Sequence, residues 1–176
     1  IPMLGNQGFE LFMLESPDTD EPREMGQHWK DGCDLLVVDH YNRSKGFETA
    51  CRDFAKDILA IDDFCNRQHD CDMLLNQNLG KIPQDYLRLV PERCELFLGP
   101  KYALLRSEFE EMRFSALKRR ESMKPVERVL VSFGAGNFKN ADRLSLKAIE
   151  RVNPSLSIDF IFGNTGKHAR ELGKII

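Results

Sequence analysis

An α/β fold built from two Rossmann-like units is what this sequence predicts. Strand-sized apolar runs alternate with helix-period segments, and each run ends on polar residues. A second strand–loop–helix–strand passage opens near Pro125. Both units are expected to be incomplete. The first lacks an opening strand, and the second is cut after about 50 residues, well short of an ordinary domain.

In chain order, Phe9 to Leu14 reads as a strand and Pro22 to Lys30 as a short helix behind an acidic turn. Leu35-Leu36-Val37-Val38 is a continuous apolar run, the pattern of a strand buried on both faces, and it ends in Asp39-His40-Tyr41. Phe47 to Lys56 is amphipathic. The next buried strand is Ile58 to Ile61, ending in Asp62-Asp63, and Met73-Leu74-Leu75 follows, ending in Asn76-Gln77-Asn78. Parallel sheets bind ligands outside the carboxyl ends of their strands, so these polar ends are the first candidates for a site. Ser107 to Met123 carries mixed charge at helical spacing. Val129 to Phe133 reads as a strand, Gly134 to Asn137 as a tight loop, Asn140 to Arg151 as a helix and Ile158 to Phe162 as a strand, before a turn at Gly163 to Gly166. The expected boundaries are residues 1–106, a helix and linker over 107–124, and 125–176.

Composition narrows the function classes. The 176 residues are 41% hydrophobic and 30% charged, an ordinary globular balance. With 25 basic against 28 acidic side chains the net charge is −3, leaving no basic excess to displace counterions from nucleic acid or an anionic membrane. No apolar run approaches the roughly 20 residues that span a bilayer. Five cysteines without CxxC spacing are not a disulfide framework, so free thiols and a cytoplasmic setting are expected. The chain opens at Ile1 without an initiator methionine or signal peptide and stops at Ile175-Ile176 in a helical pattern, as a fragment would.

Four constellations carry possible chemistry. The strand–Gly134-Ala135-Gly136–helix junction is either a phosphate cradle of backbone N–H groups or a tight βα turn; it is neither a Walker A loop nor a full GxGxxG. Asp39-His40-Tyr41 offers either a proton-transfer group or a capping Asp beside a backbone-satisfied imidazole. Asp62 to Asp72 is dense in acids, His and Cys, but lacks any metal-ligand spacing; loop hydrogen bonding accounts for it and no metal is expected. Gly99 to Arg106 joins a turn to a short apolar run. Its Arg106 is either an anion binder or an ion-pair partner of Glu108 or Glu110.

Taken in order, several segments resemble one family. They are Asp34 to Tyr41, Ile61-Asp62-Asp63, His69 to Asn78, Asp85-Tyr86, Leu89-Val90-Pro91, Gly99 to Arg106, Glu108-Phe109, and Val131 to Gly134 followed by Asn140. This collinear set, over about residues 30 to 150, is similar to the UDP-2,4-diacetamido-2,4,6-trideoxy-β-L-altropyranose hydrolases of pseudaminic acid biosynthesis. The resemblance implies a glycosyltransferase-B-type fold and an enzyme that hydrolyses a UDP-sugar at its anomeric carbon without metal or cofactor. A cytoplasmic monomer is expected, with the UDP-sugar as its partner and neither nucleic acid nor membrane. By motif match, Tyr41 lies beside the reaction centre, Asn78, Tyr102 and Arg106 line or brace the cleft, Gly134, Ala135 and Gly136 face the diphosphate, and Asn140 is a further substrate-binding residue.

The match has departures. The family's general base is a histidine in a GxGHxxR loop, and none of His28, His40, His69 or His168 has that context, so the base is expected upstream of Ile1 and this piece alone is expected to be inactive. The second loop reads Gly134-Ala135-Gly136-Asn137 where the family has Gly-Gly-Thr-Asp, and the region for uracil and ribose falls beyond Ile176. Two competing readings are a sugar transferase of the same fold in surface or spore-coat polysaccharide synthesis, and a non-catalytic nucleotide-sugar binding module.

Overall fold

The computed structural model describes residues 8–14, 20–122, 125–133 and 140–161. The chain divides into two compact units, Ile1–Leu105 and Arg106–Ile176. The first holds a four-stranded sheet of β1 (Cys33–Val38), β2 (Ala55–Ile61), β3 (Met73–Asn76) and β4 (Glu95–Leu98), in that spatial order. All three pairings are parallel, with Val37 opposite Leu59, Ile61 opposite Leu75 and Leu75 opposite Phe97. The strands around Val37, Ile61 and Leu74 therefore run parallel, as the sequence predicts. The arrangement is consistent with a Rossmann-like α/β fold.

Helices α1 (Glu21–His28) and α2 (Lys45–Cys51) belong to the same unit. Pro22 sits at the start of α1 with acids Glu21 and Glu24 in its first turn, where a fixed φ and negative charge both favour a helix N-terminus. Single 3₁₀ turns follow at Pro83–Tyr86 and Pro100–Tyr102. Parallel register places Leu36, Val38, Ile58, Ala60 and Leu74 on one sheet face. There Val38, Ile58, Ala60 and Leu74 meet Cys51 of α2, Ala55, Cys71 and Tyr86 in one buried cluster, with Leu36 packed against it.

The opposite face is different. The continuous run of β1 predicts burial on both sides, but Leu35 is 46% and Val37 50% exposed. No described element covers that face of β1. Phe9 to Leu14, expected as a strand, forms no ladder among the described residues. Phe12 instead stacks on the His28 ring at 3.9 Å and meets Trp29 edge-on, so aromatic contact with the end of α1 replaces strand pairing.

Three further expectations shift. The helix expected over Phe47 to Lys56 spans only Lys45–Cys51. Arg52 leaves the helix for Asp70 and Asp72, and the Phe54 carbonyl accepts the Cys33 N–H to begin the β1–β2 ladder. Strand β2 therefore starts at Ala55, three residues before the apolar run. Strand β4 is unforeseen, because it is only four residues long, Glu95–Leu98, and runs directly into the positive-φ Gly99. One glycine is dictated by this geometry: Gly32 has φ +75°, and a Cβ there would lie 2.8 Å from the Phe54 oxygen.

The second unit contains α3 (Ser107–Glu121), β5 (Arg128–Ser132), α4 (Ala141–Val152) and β6 (Ser157–Ile161). Strands β5 and β6 pair in parallel, with Val129 opposite Ile158, and Arg128 forks onto Asp159 across the ladder. Helix α4 buries Leu146, whereas α3 buries no residue. Acids Glu108 and Glu110 open α3 and Lys118, Arg119 and Arg120 close it, a charge order that complements the helix dipole. The expected loop at Gly134 to Asn137, the strand end at Phe162 and the turn at Gly163 to Gly166 lie outside the described residues.

At the amino ends of β2 and β3, one carboxylate joins four segments. Asp72 accepts from Arg52 and from the Ile58 N–H, lies 3.3 Å from the Arg93 Nε, and returns its own N–H to the Ile58 carbonyl. Burial pushes this carboxyl up, and the Arg52 and Ile58 hydrogen bonds outweigh it, holding it below the ordinary carboxylate value. A carboxyl lowered by folding stabilises the fold above its unfolded value of about 3.9, and that contribution disappears as pH falls through the lower folded value. Urea midpoints measured from about pH 7 to pH 2 should therefore drop steeply below about pH 4, and Asp72→Asn should start lower at neutral pH and lose less across that acid window.

Candidate functional site

The carboxyl ends of β1, β2 and β3 deliver Tyr41, Asp63 and Asn78 to one place. The Tyr41 hydroxyl donates to Asp63 Oδ2 at 3.1 Å, and the Asn78 side-chain amide donates to Asp63 Oδ1 at 3.0 Å. Asn78 is oriented in turn by its own N–H, which donates to Asn76 Oδ1 at 3.0 Å. The Tyr41 ring lies 5.2 Å from that of Phe64, and both rings are exposed. The result is an open patch of two polar hydrogen-bonding side chains around one carboxylate, edged by aromatic surface.

Its electrostatics define what each group does. The hydrogen bond from Tyr41 to Asp63 raises the phenol above its ordinary value, so Tyr41 keeps its proton and acts as a donor. Asp63 already accepts two hydrogen bonds and serves as the post that positions both neighbours. His40, next in the chain to Tyr41, accepts the Asn42 N–H at Nδ1, 3.1 Å away. In the neutral ring that bond leaves the proton on Nε2.

Behind this patch lies a buried polar spine. Tyr86 donates to Asp62 Oδ2 at 2.9 Å and accepts from the Asn76 amide at 2.8 Å. Asp62 Oδ2 also accepts the Cys65 N–H, and Oδ1 lies 3.1 Å from the Arg67 guanidinium. His69 Nδ1 meets Glu48 Oε1 at 2.7 Å, and the other Glu48 oxygen accepts the Asp70 N–H. The His69 Nε2 stands 3.9 Å from Asp62 Oδ1 with no hydrogen-bond partner. Burial is the main reason that the Tyr86 phenol is raised, which keeps it a donor to Asp62. This spine absorbs Asp62 and His69, while the Asp70 and Asp72 carboxylates pair with Arg52 and Asp63 holds the Tyr41 patch. Among the described residues no group of three or more His, Cys, Asp or Glu side chains is disposed to hold a metal ion.

The other candidates fall elsewhere. The Tyr102 ring packs edge-on against Phe97 at 5.2 Å with the Lys101 ammonium over it, on the 3₁₀ turn after β4. That turn is tied to the β3 end, since Gly99 N–H donates to the Asn76 carbonyl and Leu104 N–H to Gln77 Oε1. Arg106 is the N-cap of α3 in the second unit, with its guanidinium 5.7 Å from the centre of the Phe109 ring. Asn140 caps α4 in the left-handed conformation, φ 69°, and makes no side-chain cap bond. Gly134, Ala135 and Gly136 lie outside the described residues. Asp63, which the sequence offers as one polar strand end with no role of its own, is the residue that gathers the patch. Its signal was present, as the second acid of a pair ending a buried strand, but nothing local says that Tyr41 and Asn78 converge on it.

No family model matches the chain. Over 142 residues, 80% of this chain and 48% of the relative, it is 30% identical to the UDP-2,4-diacetamido-2,4,6-trideoxy-β-L-altropyranose hydrolase of Campylobacter jejuni. Over 145 residues, 81% of this chain and 30% of the relative, it is 22% identical to the uncharacterized protein MJ1062 of Methanocaldococcus jannaschii. The chain thus spans about half the length of the first relative and less of the second. No helix among the described residues is long and apolar enough to cross a membrane.

The spine can be tested without substrate. Tyr86→Phe removes one donor from Asp62 and leaves the buried Asn76 amide without its acceptor oxygen. Urea unfolding should show a loss of about 1–3 kcal/mol with the far-ultraviolet dichroism of the folded state retained.

Proposed function

We propose that this chain is part of an enzyme that hydrolyses a UDP-linked diacetamido-trideoxy sugar at the anomeric carbon, releasing UDP and the free sugar for pseudaminic acid synthesis. The observation that carries the reading is the 30% identity to the Campylobacter hydrolase over 80% of the chain. The placement of Tyr41 and Asn78 at the carboxyl ends of parallel strands, where α/β sheets take ligands, supports it. In this reading the two units are parts of two Rossmann-like domains of a glycosyltransferase-B-type fold, and the enzyme is a cytoplasmic monomer.

The chemistry asks for water activated by a base and for stabilisation of the departing diphosphate. The base is a histidine from a segment preceding Ile1. Tyr41, kept protonated beside Asp63, turns its single O–H from Asp63 to oxygen at the reaction centre when substrate arrives, and Asn78 offers the rest of its amide to the sugar. Tyr102 and Arg106 line or brace the cleft. The backbone of Gly134, Ala135 and Gly136, with Asn140 at the start of α4, receives the diphosphate.

The test is release of UDP from the altropyranose UDP-sugar with water as the sole acceptor. The isolated 176-residue chain should show only background release, and the chain extended upstream through the histidine loop should turn over. In that extended protein Tyr41→Phe should lower kcat by about tenfold, the worth of one hydrogen bond of about 1.4 kcal/mol made in the transition state. Unchanged kinetics would remove Tyr41 from the site. Turnover that needs an added sugar acceptor would replace hydrolysis by transfer.

A further inference from the structure

Far from the Tyr41 patch, at the amino ends of β3 and β4, two thiols face each other. Cys71 Sγ lies 3.6 Å from Cys94 Sγ. Cys71 is fully buried and Cys94 is half-buried at the edge of the core cluster, so Cys94 is the less sheltered of the two. The backbone on both sides is fastened: Asp72 donates to Ile58, Glu95 donates to Asp72, and Cys94 donates to Pro91. A bonded pair requires these sulfurs to close from 3.6 Å to about 2.05 Å.

We propose that Cys71 and Cys94 are a thiol-modification site whose co-reactant is a peroxide and whose product is a reversible disulfide between the ends of β3 and β4. The Cys94 thiolate attacks one peroxide oxygen, the O–O bond breaks, hydroxide leaves and Cys94 becomes a sulfenic acid. The Cys71 sulfur then attacks the Cys94 sulfur. An S–S bond forms, the S–O bond breaks, and the departing hydroxide takes the Cys71 proton to leave as water. Two electrons pass from the sulfur pair to each peroxide, and a dithiol returns them by exchange.

The surroundings assign the two roles. The hydrogen bond from Cys71 lowers the Cys94 thiol, with the Arg93 guanidinium adding to it, while the same contact and burial raise Cys71. Cys94 is thus the attacking sulfur and Cys71 the resolving one. Burial drives Cys33 upward and pushes Cys51 up to about 12, away from reactivity. The bond would close the segment that carries Asn76, Asn78 and Tyr86, restraining the β3 end of the candidate site.

The experiment treats the folded chain with hydrogen peroxide, blocks residual thiols and maps peptides without reduction, beside a urea-unfolded control. The expected result is one dominant Cys71–Cys94 peptide in the folded sample, two fewer of the five titratable thiols, and full recovery with dithiothreitol. In Cys71→Ala, dimedone should trap a sulfenic acid on Cys94. In Cys94→Ala, Cys71 should take up no dimedone. The unsubstituted chain decides the matter even if a variant fails to fold. Absence of the linked peptide, pairing as mixed as in the unfolded control, or oxidation of Cys33 or Cys65 ahead of Cys94 would overturn the proposal.

Discussion

Asp62 is a carboxylate 1% exposed at the end of a central parallel strand, and the carboxyl edge of the sheet is arranged around it. A carboxylate withdrawn from water is tolerated only when its oxygens are met by donors, because its lost hydration otherwise costs several kcal/mol. Its partners come from three places: the Tyr86 hydroxyl after β3, the Cys65 N–H in the following loop, and the Arg67 guanidinium, paired with Oδ1 at 3.1 Å. Meeting that requirement pins the 62–72 connection, which has no helix of its own. It also sets the 3₁₀ turn at Pro83–Tyr86, because Tyr86 must reach both Asp62 and Asn76.

The exposed patch inherits its order from this buried one. Asn76 spends its amide on Tyr86 and its oxygen on the Asn78 N–H, so the same side chain that closes the spine also aims Asn78 at Asp63. Asp63 follows Asp62 directly, and the chain direction fixed by Asp62 leaves Asp63 facing Tyr41. Hydrogen-bonding groups held in this way lose little freedom when a ligand arrives, which is the general advantage of placing a site on strand ends rather than on a free loop.

The sheet's two faces tell a second story. Ile58, Ala60 and Leu74 are buried under α2 and Tyr86, while Leu35 and Val37 on the other face of β1 stay half exposed. Their aliphatic composition belongs to a strand covered on both sides. Composition records what a strand is suited to, whereas exposure records what the described residues bring to it.

Much of this was legible in the chain alone. Periodicity located β1, β2, β3, β5, β6 and the three longer helices, because an apolar run of three to five residues between turn signals is a local property. The parallel order and the polar strand ends followed from the alternation. Tyr41 and Asn78 were named from the match of motifs. Strand β4, the early stop of α2 and the role of Asp63 were not legible, and the reason is common to all three. Each depends on a partner 15 to 22 residues away or on a neighbouring strand: Arg52 leaves α2 for Asp70 and Asp72, Glu95 to Leu98 become a strand by pairing with β3, and Asp63 gathers Tyr41 and Asn78. Residue type and spacing determine which segments are able to be strands and helices. Which polar atoms meet is decided only when the folded chain brings distant donors to acceptors that can no longer reach water.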